Sequence, residues 1–429
     1  MKKLMSWITH DVLSLARLLH KLTVEHGANH KGEALMKIYV GIDVASEKHD
    51  CCIMEADRTV LRQFTFKNSI EGFEKLYSAM QSYSKPEDTI IGLESTGVYG
   101  NNLVAFLRRN GYETRTFNPL LIKKSIQATT LRKTKTDRSD ARFLALFLTQ
   151  ELTQPDTAVS YHISELKSLC RGRFSLVQKR SEYKTEVKSI IVRVFPEFSE
   201  AFSDTLGAAA TAVLKKYPSA EAVRDARIAS LTKCIETASR GRIGRGKAEA
   251  LKQLAANSIG TGSRALEIEL RMCLEQIEVL SSFIVEYELE ISAIMKELDS
   301  PITTVPGIGL VLGATILAEF GDISRFLTPA KMLAFSGMDP SVSESGKSVS
   351  SSGTMVKRGS KYLRWALGQA ARCVAQFNPV FSAYLKKKMN EGKHYSVACS
   401  HVAKKLIRVL FSILKNNTPY SLDYAINAA

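Results

Sequence analysis

Four carboxylates in this chain stand where acids can gather on a divalent cation: Asp43, Glu94, Asp137 and Asp140. Asp43 closes the apolar run KIYVGID and Glu94 closes TIIGLE, so each ends a strand-type segment. Asp137 and Asp140 lie three apart in KTKTDRSDARFLALFL, and a helix carries such a pair on one face of its first turn. Four like charges brought together repel unless cations neutralise them, and an all-oxygen donor set selects hard ions such as magnesium. Two such ions can activate the attacking oxygen and stabilise the leaving oxygen of a phosphodiester. Lys133, Lys135, Arg138 and Arg142 surround the helical pair and would attract phosphate. Ordinary roles exist for some of these acids. Asp43 suits a turn after a strand, and Asp137 suits a helix N-cap favoured by the helix dipole. Glu94, closing an apolar strand ahead of Ser-Thr-Gly, is harder to explain as structure.

The elements around these acids form a mixed α/β pattern. KIYVGIDVA, HDCCIMEA and TVLRQFTF read as three short strands joined by short turns, one of them at Asp57-Arg58. Ser69 can cap a helix that carries Phe73, Leu76, Tyr77 and Met80 at helical spacing. TIIGLE is a strand, residues 101–110 a helix stopped at Asn110-Gly111, and YETRTF the next strand. A last helix opens near Thr136-Asp137. In a ribonuclease-H-like sheet the first and fourth strands of this order are neighbours, and the last helix can aim its first turn at their ends.

From about Ile163 to Asp299 the chain reads as almost wholly helical. Tyr183, Val187, Ile190, Ile191 and Val194 form one stripe that Pro196 ends. Leu266, Leu270, Cys273, Ile277, Leu280, Ile284, Tyr287, Ile291, Ile294 and Leu298 alternate spacings of four and three, which is a coiled-coil seam. The seam suits either a hairpin with the helix over 163–195 or a dimer zipper. The basic, glycine-rich SRGRIGRGK (239–247) reads as an exposed loop between them. Beyond Ser300-Pro301, TTVPGIG places Gly307 and Gly309 ahead of an apolar helix. This reads as the hairpin of a helix-hairpin-helix element, whose backbone N–H groups can hold a phosphate. A serine-rich loop and a basic helix follow.

The chain has 429 residues, 45% of them hydrophobic, which suits two or three domains with proper cores. No run is apolar and long enough for a membrane span. Residues 1–35 read as an amphipathic helix and a polar stretch, either an accessory helix or an extension upstream of a start at Met36. Of the seven cysteines Cys51 and Cys52 are adjacent and the others scattered, with no metal-ligand spacing, which argues against a zinc or disulfide framework and fits a reducing cytoplasm. The balance of 59 Lys plus Arg against 43 Asp plus Glu points to a polyanionic partner. From Gly353 onward 13 basic residues, among them Lys357, Arg358, Lys361 and Arg364, face only Glu391 and Asp423. That density favours nucleic-acid contact over a merely solvated surface.

GIDVAS, GLESTGVYG, KTDRSDA, TVPGIG, FSGMDP and RGSKYLRWAL, in this order from about Met36 to Leu410, resemble the DEDD-type transposases of bacterial insertion sequences. This is the family of bridge-RNA-guided serine recombinases, which also contains pilin-gene invertases. The resemblance implies a RuvC-like, ribonuclease-H-type metal domain over 36–155, a helical coiled-coil middle over 156–299 and a helical transposase domain over 300–429. It carries the family's D, E, D and D onto Asp43, Glu94, Asp137 and Asp140. It also implies a nucleophilic serine after the family's G-x-x-P, here Gly337-Met338-Asp339-Pro340. Seven serines lie between Ser341 and Ser352. Glu344-Ser345-Gly346 is the nearest match and makes Ser345 the candidate, although Glu precedes it and Ser352-Gly353 is a second match.

The implied partners are donor and target DNA, a non-coding bridge RNA and further copies of the chain, as a dimer or tetramer. Three other readings stand beside this one. A dedicated DNA invertase would differ in the flanking DNA sites rather than in the protein. A metal-dependent junction nuclease would attack with water and use no serine. A non-catalytic nucleic-acid-binding protein would do neither, and the presence of all four acids argues against it.

Overall fold

A computed structural model describes residues 37–94, 99–117, 122, 137–150, 161–339, 343–345, 348–350, 355 and 357–427. The expected helix over 1–35 lies outside them. The chain divides into two compact units, Met1–Ala158 and Val159–Ala429.

The first unit is built on one five-stranded sheet. β1 (Ile38–Asp43), β2 (Lys48–Glu55) and β3 (Val60–Lys67) form an antiparallel meander, and β4 (Thr89–Glu94) and β5 (Glu113–Phe117) add parallel strands beyond β1. The order is therefore β3-β2-β1-β4-β5, with the first and fourth strands adjacent as expected of a ribonuclease-H-like sheet. Alternation along β1 separates two layers. Ile38, Val40 and Ile42 pack against α1 (Ile70–Gln81) and α2 (Asn101–Arg109). Tyr39 on the other face packs with Leu144 and Leu148 of α3 (Asp137–Leu148). The helix boundaries follow local chemistry: Ser69 accepts the Gly72 N–H as the cap of α1, and Gly111, at φ 82, lets the chain leave α2.

Gly41 and Gly92 set how closely α3 can lie on the sheet. A Cβ on Gly41 would fall 2.1 Å from the Ala141 carbonyl oxygen and 2.3 Å from the Ala145 nitrogen. On Gly92 it would fall 2.9 Å from Leu148 and from Phe117. The atoms crowding Gly41 are backbone, so only displacement of the helix relieves the clash. Gly41→Ala is therefore expected to destabilise the protein by on the order of 3 kcal/mol, and to move the helix that begins with Asp137. Urea denaturation of the purified variant checks this; an unchanged midpoint would mean that α3 does not lie so close.

In the second unit α4 (Tyr161–Val194) and α10 (Arg264–Leu298) run antiparallel. Arg173 Nε donates to Glu288 at 2.8 Å and Arg180 to Ser281 Oγ at 3.2 Å, so residue numbers rise on one helix as they fall on the other. Of the two partners open to the heptad seam, the structure thus places α4 of the same chain against it. Gly172 makes room for the Tyr287 ring, which lies 2.4 Å from where a Cβ would stand. Five helices lie between the pair: α5 (Phe198–Ala201), α6 (Ala208–Lys216), α7 (Ala220–Asp225), α8 (Ile228–Ser239) and α9 (Arg245–Ala256). They bury Phe198, Val213, Leu231 and Leu251 against Val187, Ile191 and Leu270 at one end of the hairpin.

At the hairpin's other end Leu166, Cys170, Ile291 and Met295 join the core of the C-terminal helices. These are α11 (Leu310–Phe320), α12 (Pro329–Ser336), α13 (Lys361–Phe377), α14 (Pro379–Asn390), α15 (Tyr395–Asn416) and α16 (Leu422–Asn427). A buried carboxylate fastens the two parts together. Glu319 on α11 is 3% exposed and accepts two hydrogen bonds from Arg171 of α4, at 2.6 and 2.9 Å. No helix among the described residues is long and apolar enough to cross a membrane.

Candidate active site

Asp43 and Glu94 end adjacent parallel strands. The register pairs Ile42 with Leu93, so the two acids occupy the next step of the same ladder. Asp43 lies two residues beyond Gly41 and Glu94 two beyond Gly92, which puts both on the face that α3 covers. Both are half-buried. Asp137 is the first residue of α3, one turn before the Ala141 that meets Gly41, and its side chain lies outside the described residues. Asp140 is half-buried and accepts a 3.4 Å hydrogen bond from Ser139 Oγ. The start of the helix is tied to the sheet edge by Gln63, whose side-chain amide donates to the Arg138 carbonyl. The structure thus brings Asp43 and Glu94 together and lays the helix bearing Asp137 and Asp140 over their face. Among the described residues no group of three His, Cys, Asp or Glu side chains is close enough to hold a metal ion.

Two neighbouring residues carry no signal in the sequence pattern. Asp50 pairs directly with Asp43 across β1 and β2, so it shares the α3 face. It is 9% exposed and accepts a 2.7 Å hydrogen bond from Thr65 Oγ1. Only its place in the hairpin register could reveal it, and the apolar pattern of HDCCIMEA does not fix that register. His49 is fully buried on the opposite face, against Phe66 and Phe73. Its Nδ1 accepts the Ala45 N–H at 3.2 Å and so holds the turn that follows Asp43. Burial disfavours the imidazolium and lowers its pKa, against a smaller raising effect from Asn68. Cys51 and Cys52 are buried thiols. Burial outweighs the Arg142 charge at Cys52 and lifts that thiol to about 11, too high for a nucleophile at neutral pH.

The basic candidates divide. Lys133 and Lys135 lie outside the described residues, and Arg138 is exposed on α3. Lys357 and Arg358 are exposed ahead of α13, and Lys361, its first residue, reaches over the Tyr362 ring at 5.1 Å. Arg364 has a structural task, because its Nη1 donates to the Arg358 and Gly359 carbonyls at 3.1 and 2.9 Å.

Gly307 and Gly309 differ in kind. A Cβ on Gly307, at φ 97, would lie 2.7 Å from the α13 backbone at Cys373 and Val374, so packing alone demands glycine there. Gly309 caps α11 with open space around its Cα. The segment ahead of them, Pro301–Thr304, is a single 3-10 turn.

Ser345 ends β6 (Ser343–Ser345), which pairs antiparallel with β7 (Ser348–Ser350) through Ser345↔Ser348. The serine-rich segment, expected to be a loop, thus contains a short hairpin. Its alternating Ser-Glu-Ser and Ser-Val-Ser, separated by Gly-Lys, are suited to a two-residue turn. The stretch is closed at its base, where the Lys357 N–H donates to the Gly337 carbonyl at 3.1 Å. Gly337, at φ 70, would put a Cβ on the Arg358 carbonyl oxygen, so FSGM and KRGS pack backbone to backbone. The side chain of Ser345 lies outside the described residues.

Comparison with known proteins finds relatives along most of the chain. Residues 40–196 match a family model described as a DEDD-type transposase, and residues 299–386 one described as transposase IS116/IS110/IS902 family. The chain is 24% identical over 400 residues to the mini-circle putative transposase for IS117 of Streptomyces coelicolor, covering 89% of this chain and 95% of that protein. It is 22% identical over 392 residues to the pilin gene-inverting protein of Moraxella bovis, covering 90% and 98%. A solved structure of RuvC from Thermus thermophilus, 10% identical, covers 28% of this chain and 99% of its own, with a TM-score of 0.22.

Proposed function

Because the chain belongs to the IS116/IS110/IS902 family of transposases, we propose that it cuts and rejoins strands of an insertion sequence and its target through a covalent phosphoserine, guided by a non-coding bridge RNA. The observation that carries the reading is the pairing of Asp43 and Glu94 at neighbouring strand ends, on the face over which α3 begins with Asp137. All four donors are carboxylates, a set that fits magnesium. Bound there, the ion supplies Lewis-acid activation of a phosphodiester and charge neutralisation for its leaving oxygen.

The chain's own residues do the rest. Asp43, Glu94, Asp137 and Asp140 hold the cations. The Ser345 oxygen attacks phosphorus, the serine bond to phosphorus forms, the bond to the 3′ oxygen breaks, and the proton lost by serine is balanced by one gained at the 3′ hydroxyl. A 3′ hydroxyl of the partner strand then attacks the phosphoserine, reforming a phosphodiester and returning the proton to Ser345. One phosphoester bond is exchanged for another in each step, so no ATP is required. Lys133, Lys135, Arg138, Gly309, Lys357, Arg358 and Lys361 contact nucleic acid, and the active form is an oligomer of this chain, a dimer or tetramer. Invertase activity is the second reading, motivated by the likeness to the pilin gene-inverting protein. It uses the same chemistry on differently placed sites.

The test is recombination of labelled donor and target DNA by the purified chain, with RNA transcribed from the DNA flanking its coding region. Joined products are expected with magnesium and RNA, and none with EDTA. Equal product in EDTA would overturn the metal assignment, and equal product without RNA the guide.

A further inference from the structure

The helices α14 and α15 present a cationic face whose charges have little to balance them. Neither PVFSAYLKKKMN nor YSVACSHVAKKLIRVLFSILKN contains an Asp or Glu. On α15, His401, Lys404, Lys405 and Arg408 follow at helical spacing and share one side. Lys405 is the centre of it. It is only 7% exposed, yet among the described residues no carboxylate is paired with it. Its ammonium lies 5.2 Å from the centre of the Tyr384 ring on α14, and Lys388 reaches the same ring at 5.5 Å. The charges that act on Lys405 are Arg408 and Lys387, both exposed and both positive; with burial, the largest effect, they lower its pKa. Lys388 is matched by Glu391 in the turn between the helices, at 2.9 Å. Asp339 acts on Lys404.

A lysine whose stem is this covered, with two neighbouring cations repelling its ammonium and a ring beneath it, is favourably completed by an anion at its tip. Scattered surface lysines have no such need because water solvates them. We propose that this face of α14 and α15 is a phosphodiester-backbone site, in which Lys387, Lys404, Lys405 and Arg408 hold successive phosphates of a bound nucleic acid. The Tyr384 ring keeps the Lys405 ammonium in place when the strand is absent. Backbone phosphates are the matching ligand because they bring regularly spaced negative charge to a stripe of regularly spaced cations. The inference rests on the reading of the chain as a nucleic-acid enzyme. It adds a binding surface distinct from the carboxylates, from Ser345 and from the basic residues between Lys357 and Arg364.

Binding to a short duplex DNA and to a structured RNA, each measured in EDTA over a series of salt concentrations, tests it without any strand chemistry. Lys387→Gln with Arg408→Gln removes two exposed charges and leaves the core untouched. The slope of log affinity against log salt should become shallower by about 0.9 for each phosphate that is no longer neutralised. Lys405→Met should weaken binding while leaving Tm unchanged or higher, since it removes a charge repelled by Arg408 and Lys387 and keeps the apolar stem; a merely structural lysine would give the reverse. Removing Lys233 and Lys296, exposed elsewhere, should not change the slope.

A loss confined to DNA assigns the face to a DNA backbone, and one confined to RNA assigns it to RNA. Unchanged affinity and slope on both polymers would overturn the proposal, even if magnesium-dependent cleavage persists. Patch-dependent binding by a chain whose Asp43→Asn variant still cleaves would instead overturn the catalytic reading and leave this one standing.

Discussion

Asp43→Asn is expected to abolish strand cleavage while leaving nucleic-acid binding intact. Asn keeps the size and one oxygen of the side chain but removes the charge that a hard cation needs. Its loss should lower the cleavage rate by on the order of a thousandfold or more, roughly 4 kcal/mol on the barrier. Glu94→Gln should match it, because the two acids end neighbouring strands on one face. Asp50→Asn separates charge from coordination. Asp50 lies opposite Asp43 but already accepts the Thr65 hydroxyl, so its loss should slow cleavage far less. Rates are read from single-turnover cleavage of labelled DNA under saturating magnesium, with binding measured in EDTA. An Asp43→Asn protein that cleaves within tenfold of the wild type would remove Asp43 from the metal set and leave the strand pair as scaffold.

The positions of these acids were legible because two kinds of local signal agree. Period-two apolar alternation marks where strands end, and cap residues such as Ser69 and the Asn110-Gly111 stop mark where helices begin and end. Together they give the order of elements, and a ribonuclease-H-like sheet of that order has its first and fourth strands side by side, as found. Relations across the sheet were not legible. Asp50 joins the α3 face only through its register with Asp43. The need for glycine at position 41 arises only where the α3 backbone crosses it. Gly307 shows the converse, since a glycine that reads as a phosphate-binding turn is already required by the α13 backbone beside it.

The heptad seam from Leu266 to Leu298 likewise states its period but not its partner. A seam meeting a second copy and a seam meeting α4 bury the same residues, and only the antiparallel contacts such as Arg173 with Glu288 distinguish them. Lys405 was visible as one of many basic residues. Its burial was not, because it depends on Tyr384 of another helix.

Ser345→Ala is expected to eliminate the covalent protein–DNA adduct and all strand exchange, with folding and binding unchanged. The substitution removes one hydroxyl at the end of a two-stranded hairpin whose backbone pairing it does not alter. A nucleophile acts only in register with the scissile phosphate, and a hydroxyl elsewhere on the hairpin does not share that register, so the loss should reach background. The adduct is scored by gel shift under denaturing conditions after stopping the reaction with EDTA. Three results are informative. Loss of adduct with loss of cleavage supports serine attack. Retained cleavage without an adduct would mean that water attacks at the carboxylate site and that the chain acts as a metal nuclease. A retained adduct would transfer the role to another serine, with Ser352 the first to test because it also precedes a glycine. Repeating the assay in Asp43→Asn separates these further. If the acids prepare the phosphodiester that Ser345 attacks, neither single variant should leave an adduct, and the double variant should be no worse than either, because groups acting on one step are not additive.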